Sequence, residues 1–165
     1  MGSLRYYKFK DRCLYCDIIQ QEVRDRSRLI AENEAFVACC AYAGRFPFEV
    51  VVTPRVHNAQ FELIRPNEIA LLAEMLKSVL TAMERCLEHP PMSFIFHSAP
   101  TPQAHREELA NVSKFYHWHI EIIPKLTKTA GFEWGSGFYI NPILPEEAAK
   151  YLREFCGCGL PTGPR

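Results

Sequence analysis

The feature that most constrains the fold is the stretch at residues 113–126, SKFYHWHIEIIPKL. Polar, titratable side chains occupy every second position within it, at His117, His119 and Glu121. The positions between and after them are apolar: Tyr116, Trp118, Ile120 and Ile122. Because successive side chains of a strand point to opposite faces, this alternation predicts a β-strand with one polar face and one core face. Two histidines on one face indicate a binding surface, and an ordinary solvent-facing side is the alternative interpretation.

The rest of the chain predicts a few short strands and two clear helices. Strands are expected in segments 28–43 (two strands), 48–53 and 92–98, and a short helix is expected after Cys16. Apolar residues three and four positions apart predict a long helix over 65–89, and Pro145 begins a final helix. The segment 131–145, punctuated by Gly and Pro, is expected to be loop and irregular strand. This order favours an α+β fold with an antiparallel meander sheet.

Size and charge exclude several classes of function. The 165 residues suit one domain, and 19 basic residues balance 19 acidic ones. A net charge of zero argues against a nucleic-acid-binding platform and against a polybasic membrane anchor. No apolar run approaches the roughly 20 residues that span a bilayer, and the N-terminal residues do not resemble a signal peptide. We therefore expect a cytoplasmic protein that binds neither nucleic acid nor membrane.

Seven cysteines, an odd number, argue against a disulfide framework in such a location. Cys13 and Cys16 form a C-x-x-C clip, and His57 and His117 lie at the ends of predicted strands. Two thiolates and two imidazoles suit a closed, tetrahedral structural Zn²⁺ site. The alternative is a pair of reduced, buried thiols with two unrelated histidines. A redox C-x-x-C is disfavoured because no βαβ pattern surrounds it.

Three segments carry a family resemblance: PFEVVVTPRVH, FIFHSAP and FYHWHIEIIPKLTKTAGFEWGSGFYINPILPEEAAKYLR. Together they resemble the galactose-1-phosphate uridylyltransferase family of the histidine-triad superfamily. The resemblance is to the second of two tandem histidine-triad-like halves and covers residues 12–155 as a single domain. Residues 1–11 are then an N-terminal lead, and residues 156–165 are expected to be a flexible tail. The resemblance implies a histidine-triad-like antiparallel sheet with one long helix and a C-terminal helix.

The resemblance also implies a chemistry for the polar face. The family transfers a uridylyl group from UDP-glucose to a hexose 1-phosphate through a covalent histidine intermediate. His119 falls at the position of the superfamily's nucleophile, and His117 falls at that of a metal ligand. Glu121 replaces the Gln of the active uridylyltransferase half, and Trp118 replaces its Pro. A carboxylate offers no donor to a phosphate and repels it, which weakens the assignment of His119 as nucleophile.

A second metal arrangement competes with the thiolate site for His117. In the family's second half, a histidine before a small-Ala-Pro turn joins the two histidines of His-x-His around iron or zinc. His97, His117 and His119 match those three positions, and Glu121 is the candidate for a missing carboxylate ligand. Glu133 falls where the family binds hexose hydroxyls; a solvated loop acid is the alternative.

Three functions follow from these expectations. The first is nucleotidyl transfer of the uridylyltransferase type, with a UDP-sugar and a hexose 1-phosphate as substrates and His97, His119 and Glu121 as catalytic residues. The second is a stand-alone histidine-triad hydrolase or phosphoramidase that uses His119. The third is a non-catalytic, sugar-nucleotide-binding half that needs a separate first half. The family also implies a homodimer, or pairing with that first half.

Overall fold

The computed structural model describes residues 2–100, 111–128 and 130–156. The helices are α1 (Gly2–Lys10), α2 (Leu14–Asp25), α3 (Pro66–Cys86), α4 (Val112–Phe115), α5 (Gly131–Ser136) and α6 (Pro145–Phe155), with a 3-10 turn at Phe61–Leu63. The strands are β1 (Leu29–Glu32), β2 (Phe36–Cys40), β3 (Val50–Pro54), β4 (Met92–His97) and β5 (His119–Pro124). Within these ranges, no helix combines the length and apolar character that crossing a membrane requires.

The five strands form one sheet in the order β1-β2-β3-β5-β4, and every neighbouring pair is antiparallel. This confirms the predicted α+β fold with an antiparallel sheet. The first three strands form a meander, but β5 then lies between β3 and β4. The long helix α3 connects β3 to β4, so the chain crosses the sheet and leaves a gap that β5 fills. The polar strand predicted from the sequence is therefore an interior strand, next to the edge strand β4, and is hydrogen-bonded on both sides.

The main core lies between one face of the sheet and helices α3 and α6. Trp118 is 1% exposed there, and its ring centroid lies 5.8 Å from that of Phe36 and 5.1 Å from that of Phe61. Ile120 and Ile122 of β5 are fully buried in the same cluster. The core face predicted by the alternation is confirmed for these three residues. The opposite face of β5 is left to carry His119 and Glu121.

The strand prediction was wrong at its beginning. Residues 112–115 form the short helix α4, and the strand begins only at His119. Tyr116 packs in a small separate cluster with Val112 and Phe115, not on the core face with Trp118. The N–H of Trp118 donates to the carbonyl of Asn58, 2.9 Å away, outside the strand ladder. The chain therefore turns once before it enters the sheet.

Two other local predictions need correction. Part of the predicted loop at 131–145 is the helix α5, in which the Glu133 carboxylate accepts from the N–H of Ala130 at 3.0 Å. This capping contact stabilises the first turn of the helix. The loop prediction relied on the Gly and Pro residues of the segment and did not take this contact into account. The strand predicted from residue 48 begins at Val50, because Phe48 has a φ of 58°, outside the extended region. Of the predicted tail, Cys156 is buried, and residues 157–165 lie outside the described ranges.

Candidate functional site

The first site is a group of two cysteines and two histidines from three separate segments. Cys13 caps the N-terminus of α2, Cys16 lies in its first turn, His57 follows β3, and His117 precedes β5. One potential ligand atom from each of these side chains lies within 4.8 Å of all the others. The four residues that the sequence predicted as a metal site are therefore brought together. They also join the N-terminal helices to the centre of the sheet.

Backbone carbonyls fix both histidines of this group in the same tautomer. His57 Nε2 lies 2.7 Å from the carbonyl oxygen of Ser113, and His117 Nε2 lies 2.9 Å from that of Pro54. A carbonyl oxygen can only accept, so both Nε2 atoms carry the proton. The Nδ1 lone pairs then face Cys16 Sγ, at 3.3 Å from His57 and 3.6 Å from His117. Such outer hydrogen bonds commonly orient the histidines of metal sites.

The two thiols of the group ionise very differently. Burial opposes ionisation of Cys13, but hydrogen bonds with His117 and His57, which form when Nδ1 of the ring is protonated in addition to Nε2, outweigh it and lower the pKa of that thiol to about 5. Burial, followed by repulsion from the Cys13 thiolate, raises the pKa of Cys16 to about 12. The two thiols thus ionise in sequence, Cys13 before Cys16, and a divalent cation between the sulfur atoms would stabilise the second thiolate.

The second site lies on the polar face of the sheet, where strand pairing brings three titratable side chains together. His97 of β4 is directly opposite His119 of β5, and their rings stack with centroids 4.5 Å apart at 16°. His97 Nε2 lies 3.4 Å from Glu121 Oε2. This nitrogen is buried and makes no hydrogen bond within the described residues. The face therefore holds a buried imidazole nitrogen whose contact with Glu121 is not a hydrogen bond.

The histidine set implied for iron or zinc is not brought together as expected. The structure groups His97 with His119 and Glu121, whereas His117 lies with the cysteines. The reason is that His117 precedes the strand and turns its ring toward Pro54 and Cys16, although it is two residues from His119. The two metal arrangements thus do not compete for the same ligand.

The orientation and charge of His119 follow from its hydrogen bonds and its burial. Its Nδ1–H donates to the carbonyl of His117 at 2.9 Å, so Nε2 carries the lone pair. The Tyr15 hydroxyl donates to that Nε2 at 3.3 Å. His119 is only 4% exposed, and burial is the main cause that lowers its pKa. At neutral pH the ring is therefore a neutral imidazole with a defined lone pair.

His119 lines a mostly apolar pocket of about 350 Å³ between α2 and the sheet. Tyr15, Tyr42, Arg45 and Glu121 are among the residues that line it. Arg45 Nη2 lies 3.0 Å from Glu121 Oε2, so the carboxylate has a cationic partner. The repulsion of phosphate expected from Glu121 is therefore offset by a neighbouring guanidinium.

Glu133, predicted to bind a hexose, lies on a second pocket of about 240 Å³. Arg45 and Lys128 line the same pocket, together with the aromatic rings of Phe46 and Tyr139. The two pockets share Arg45 and therefore adjoin each other. The sequence prediction for Glu133 stays a prediction, but its carboxylate is within the same concave region as the histidines.

Sequence reasoning missed two residues of this region. Tyr15 lies inside the C-x-x-C clip, and its ring centroid is 4.5 Å from that of His119. Its place between two candidate ligands was a signal that could have identified it. Arg45 had no such signal, because it lies in a loop 76 residues away from Glu121 in the chain.

The fold and the paired histidines define a histidine-triad-like domain. A zinc-bound histidine triad protein from Mycobacterium smegmatis matches the fold with a TM-score of 0.57 at 18% identity, over 87% of this chain and 92% of that one. The family model "Galactose-1-phosphate uridyl transferase, C-terminal domain" matches residues 3–155. The chain therefore belongs to the family of galactose-1-phosphate uridylyltransferase C-terminal domains.

Individual relatives agree with this family. Galactose-1-phosphate uridylyltransferase of Thermotoga maritima is 33% identical over 162 residues, which are 93% of this chain and 48% of that protein. The crystal structure of an ADP-glucose phosphorylase from Arabidopsis thaliana with bound ADP-glucose has a TM-score of 0.81 at 29% identity, over 93% of this chain and 46% of that one. The chain thus spans about half the length of these relatives.

Proposed function

We propose that this protein works in nucleotidyl transfer of the uridylyltransferase type, between a sugar nucleotide and a hexose 1-phosphate of galactose metabolism. The observation that carries the proposal is the state of His119: a neutral ring in the wall of a pocket, fixed through Nδ1–H, whose Nε2 lone pair accepts a hydrogen bond from the Tyr15 hydroxyl. An imidazole held in this way is a nucleophile suited to phosphorus. The names of the relatives, uridylyltransferases and an ADP-glucose phosphorylase, support the same class of reaction.

The proposed reaction has two displacements at one phosphorus atom. The Tyr15 hydroxyl first releases His119 Nε2. The Nε2 lone pair then bonds to the α-phosphorus, the bond from that phosphorus to the bridging oxygen breaks, and hexose 1-phosphate leaves. A phosphate oxygen of the acceptor sugar then bonds to the same phosphorus, and the N–P bond returns its electrons to the ring. No proton has to leave His119, because its Nδ1–H remains on the carbonyl of His117. Covalent catalysis thus divides one difficult transfer into two easier ones.

The two adjoining pockets suggest where the parts of the substrate bind. The larger, mostly apolar pocket suits a nucleoside, and Tyr15 and Tyr42 offer aromatic rings there. The smaller pocket with Glu133 suits the hexose, because a carboxylate accepts hydrogen bonds from sugar hydroxyls. The phosphates would then lie between the pockets, beside His119 and His97.

We propose that Cys13, Cys16, His57 and His117 bind Zn²⁺ in a structural role. The donor set fits: two sulfur and two nitrogen ligands with fixed tautomers and no additional position for a substrate. The ion would hold α2, and with it Tyr15, against the sheet. His97, His119 and Glu121 form a smaller set in which iron or zinc is the alternative occupant. Six cysteines within the described part of the chain are unpaired, which supports a reducing, cytoplasmic location.

A second candidate function is a sugar-nucleotide-binding half that is inactive alone. One observation favours it: the chain spans only 41% and 48% of the lengths of its relatives from Arabidopsis thaliana and Thermotoga maritima. Trp118 and Glu121 also depart from the residues of the active uridylyltransferase half. In this case the His119 face would bind phosphates without attacking them.

Turnover of the purified chain tests the catalytic proposal. UDP-glucose or ADP-glucose is mixed with galactose 1-phosphate, and formation of the new sugar nucleotide is followed by chromatography. We expect activity in the wild type and a loss of at least about 10³-fold in His119→Ala, because the covalent route disappears. His89→Ala is the matched control, since His89 is exposed at the end of α3 and should leave the rate unchanged. A wild type that binds UDP-glucose without turnover would contradict the catalytic proposal and support the second candidate.

A further inference from the structure

The Arg45–Glu121 ion pair lies where the two pockets meet. Arg45 is the residue common to both linings that carries a positive charge, and its side chain is 44% exposed. Its only contact with the polar face of the sheet within the described residues is to Glu121 Oε2, at 3.0 Å. The same oxygen lies 3.4 Å from His97 Nε2. The guanidinium therefore has an accessible surface and an anionic partner that a ligand could replace.

The backbone of Arg45 is fixed independently of its side chain. Glu49 Oε2 accepts from the N–H of Arg45 at 2.8 Å and from the N–H of Phe46 at 3.2 Å. Asn141 Nδ2 donates to the carbonyls of Gly44 and Phe46 on either side of it. The loop thus keeps its place without the ion pair, and the long side chain can exchange partners while its backbone stays still.

The charges around the larger pocket make such an exchange necessary for an anion. Glu22, Glu49 and Glu121 all line this pocket, and Arg45 is the one Arg or Lys among its lining residues in the described part of the chain. Glu22 is already paired with Arg28 at 2.7 Å, and Glu49 is held by the two backbone N–H groups. A phosphate inside the larger pocket therefore competes with Glu121 for the guanidinium, whose fork of donors suits phosphate oxygens better than a single carboxylate oxygen.

We propose that Arg45 is the residue that recognises the phosphates of the substrate, and that it does so by leaving Glu121. In the free protein Glu121 holds Arg45 in position and keeps it from other anions. When a phosphodiester bridges the two pockets, the guanidinium turns to the phosphate oxygens. Glu121 is then left facing His97 alone. This inference rests on the proposed function, because it assumes that a sugar nucleotide bridges the pockets.

If Arg45 exchanges Glu121 for phosphate, substitution of Arg45 and substitution of Glu121 should change the affinity for UDP in opposite directions. UDP binding to the 165-residue chain is measured by calorimetry, with uridine titrated by NMR as the ligand without phosphate. Arg45→Gln should weaken UDP binding by about 10- to 100-fold, because a charge-assisted contact to phosphate is lost. Glu121→Gln should strengthen it by about 3- to 10-fold, because the competitor for the guanidinium is removed. Uridine affinity should not change in either variant.

The double variant Arg45→Gln, Glu121→Gln distinguishes two effects of Glu121: competition with phosphate for Arg45, and direct repulsion of the phosphate. If Glu121 acts by holding Arg45, Glu121→Gln gains nothing in the Arg45→Gln background; a gain that persists there would overturn the exchange. If the pair only shaped the pocket, both single variants would weaken UDP binding alike, which would also overturn it. Arg65→Gln, which neutralises an exposed arginine paired with Glu68, is the matched control and should not alter affinity.

The same titrations distinguish failure of the inference from failure of the proposed function. A wild type that binds UDP-glucose and UDP, with affinities that Arg45→Gln leaves unchanged, would overturn the role of Arg45 and leave the function standing. A folded wild type that binds neither ligand would overturn both. Melting temperatures of the single variants within a few degrees of wild type show that binding differences do not reflect unfolding.

Discussion

At the scale of single residues, hydrogen bonds to backbone carbonyls determine which ring nitrogen carries the proton in three histidines. His57 and His117 donate through Nε2 to the carbonyls of Ser113 and Pro54, which leaves Nδ1 toward the cysteines. His119 donates through Nδ1 instead, which leaves Nε2 to accept from the Tyr15 hydroxyl. The tautomer of a neutral histidine depends on the hydrogen bond made by its other nitrogen. Two residues apart in sequence, His117 and His119 therefore present different atoms to different sites.

The proposed zinc site leads to a prediction at this scale. The double substitution Cys13→Ser and Cys16→Ser should reduce bound zinc from about one equivalent per chain to background, because hydroxyls are poor ligands for this ion. The melting temperature should fall as well, since the ion joins α2 to the sheet. Elemental analysis of the purified variants measures the zinc. Cys86→Ser, in the half-buried part of α3, is the control. Undiminished zinc in the double variant would contradict the thiolate site.

At the scale of secondary structure, helix α2 forms one wall of the larger pocket and is anchored at both ends. Its first turn carries Cys16, and its last turns carry Glu22. Arg28 donates to Glu22 Oε1 through Nε at 2.8 Å and through Nη2 at 2.7 Å. The same guanidinium donates through Nη1 to Glu146 Oε1 of α6 at 2.7 Å. One buried arginine thus connects α2 to the C-terminal helix.

Substitution of Arg28 should lower the free energy of unfolding far more than substitution of an exposed arginine. The side chains of Arg28 and Glu22 are 9% and 3% exposed, so Arg28→Met leaves a buried carboxylate without its partner. We expect a loss of about 3–5 kcal/mol in the free energy of unfolding. Arg24→Met, in an exposed pair with Asp25, should change it by less than about 1 kcal/mol. Urea unfolding of both variants measures the difference, and equal losses would contradict the buried connection.

At the scale of the whole molecule, the sheet ends at β4, an edge strand with three half-exposed or exposed apolar side chains: Phe94, Ile95 and Phe96. The opposite edge strand, β1, is accompanied by α6. Unprotected apolar edges commonly pair with another chain. Because the relatives are about twice as long as this chain, we propose that a second copy packs against β4 and forms a homodimer.

Sedimentation velocity tests the dimer. The wild type should sediment as a dimer at micromolar concentration, and Phe94→Lys should shift it toward the monomer, because a charge at the edge opposes pairing. Phe9→Lys, on the exposed side of α1, is the matched control and should leave the dimer intact. A monomeric wild type would contradict this arrangement.

Much of the fold followed from local patterns in the sequence. The alternation around His119 correctly separated the core residues Trp118 and Ile120 from the polar face, because burial on one side of a strand imposes a period of two. The same pattern could not show that the strand begins at His119. Residues 112–115 form a helical turn through their own hydrogen bonds and their packing, which alternation does not detect.

Less of the site than of the fold could be predicted from the sequence, because long-range contacts bring its residues together. The spacing of Cys13 and Cys16 and the placement of two histidines near strand ends predicted the first group. The register of β4 against β5 brings His97 beside His119, and only sheet topology decides that register. The position of Arg45 depends on a loop held by Glu49 and Asn141, a contact that no local sequence pattern indicates.

The most direct test of the central claim is the mass of the protein after brief mixing with UDP-glucose. Rapid quenching at alkaline pH, followed by intact-mass and peptide mass spectrometry, detects a phosphoramidate bond to histidine. We expect an added uridylyl group on His119, absent from His119→Ala and present in His89→Ala. An unmodified His119 in protein that demonstrably binds UDP-glucose would contradict the claim.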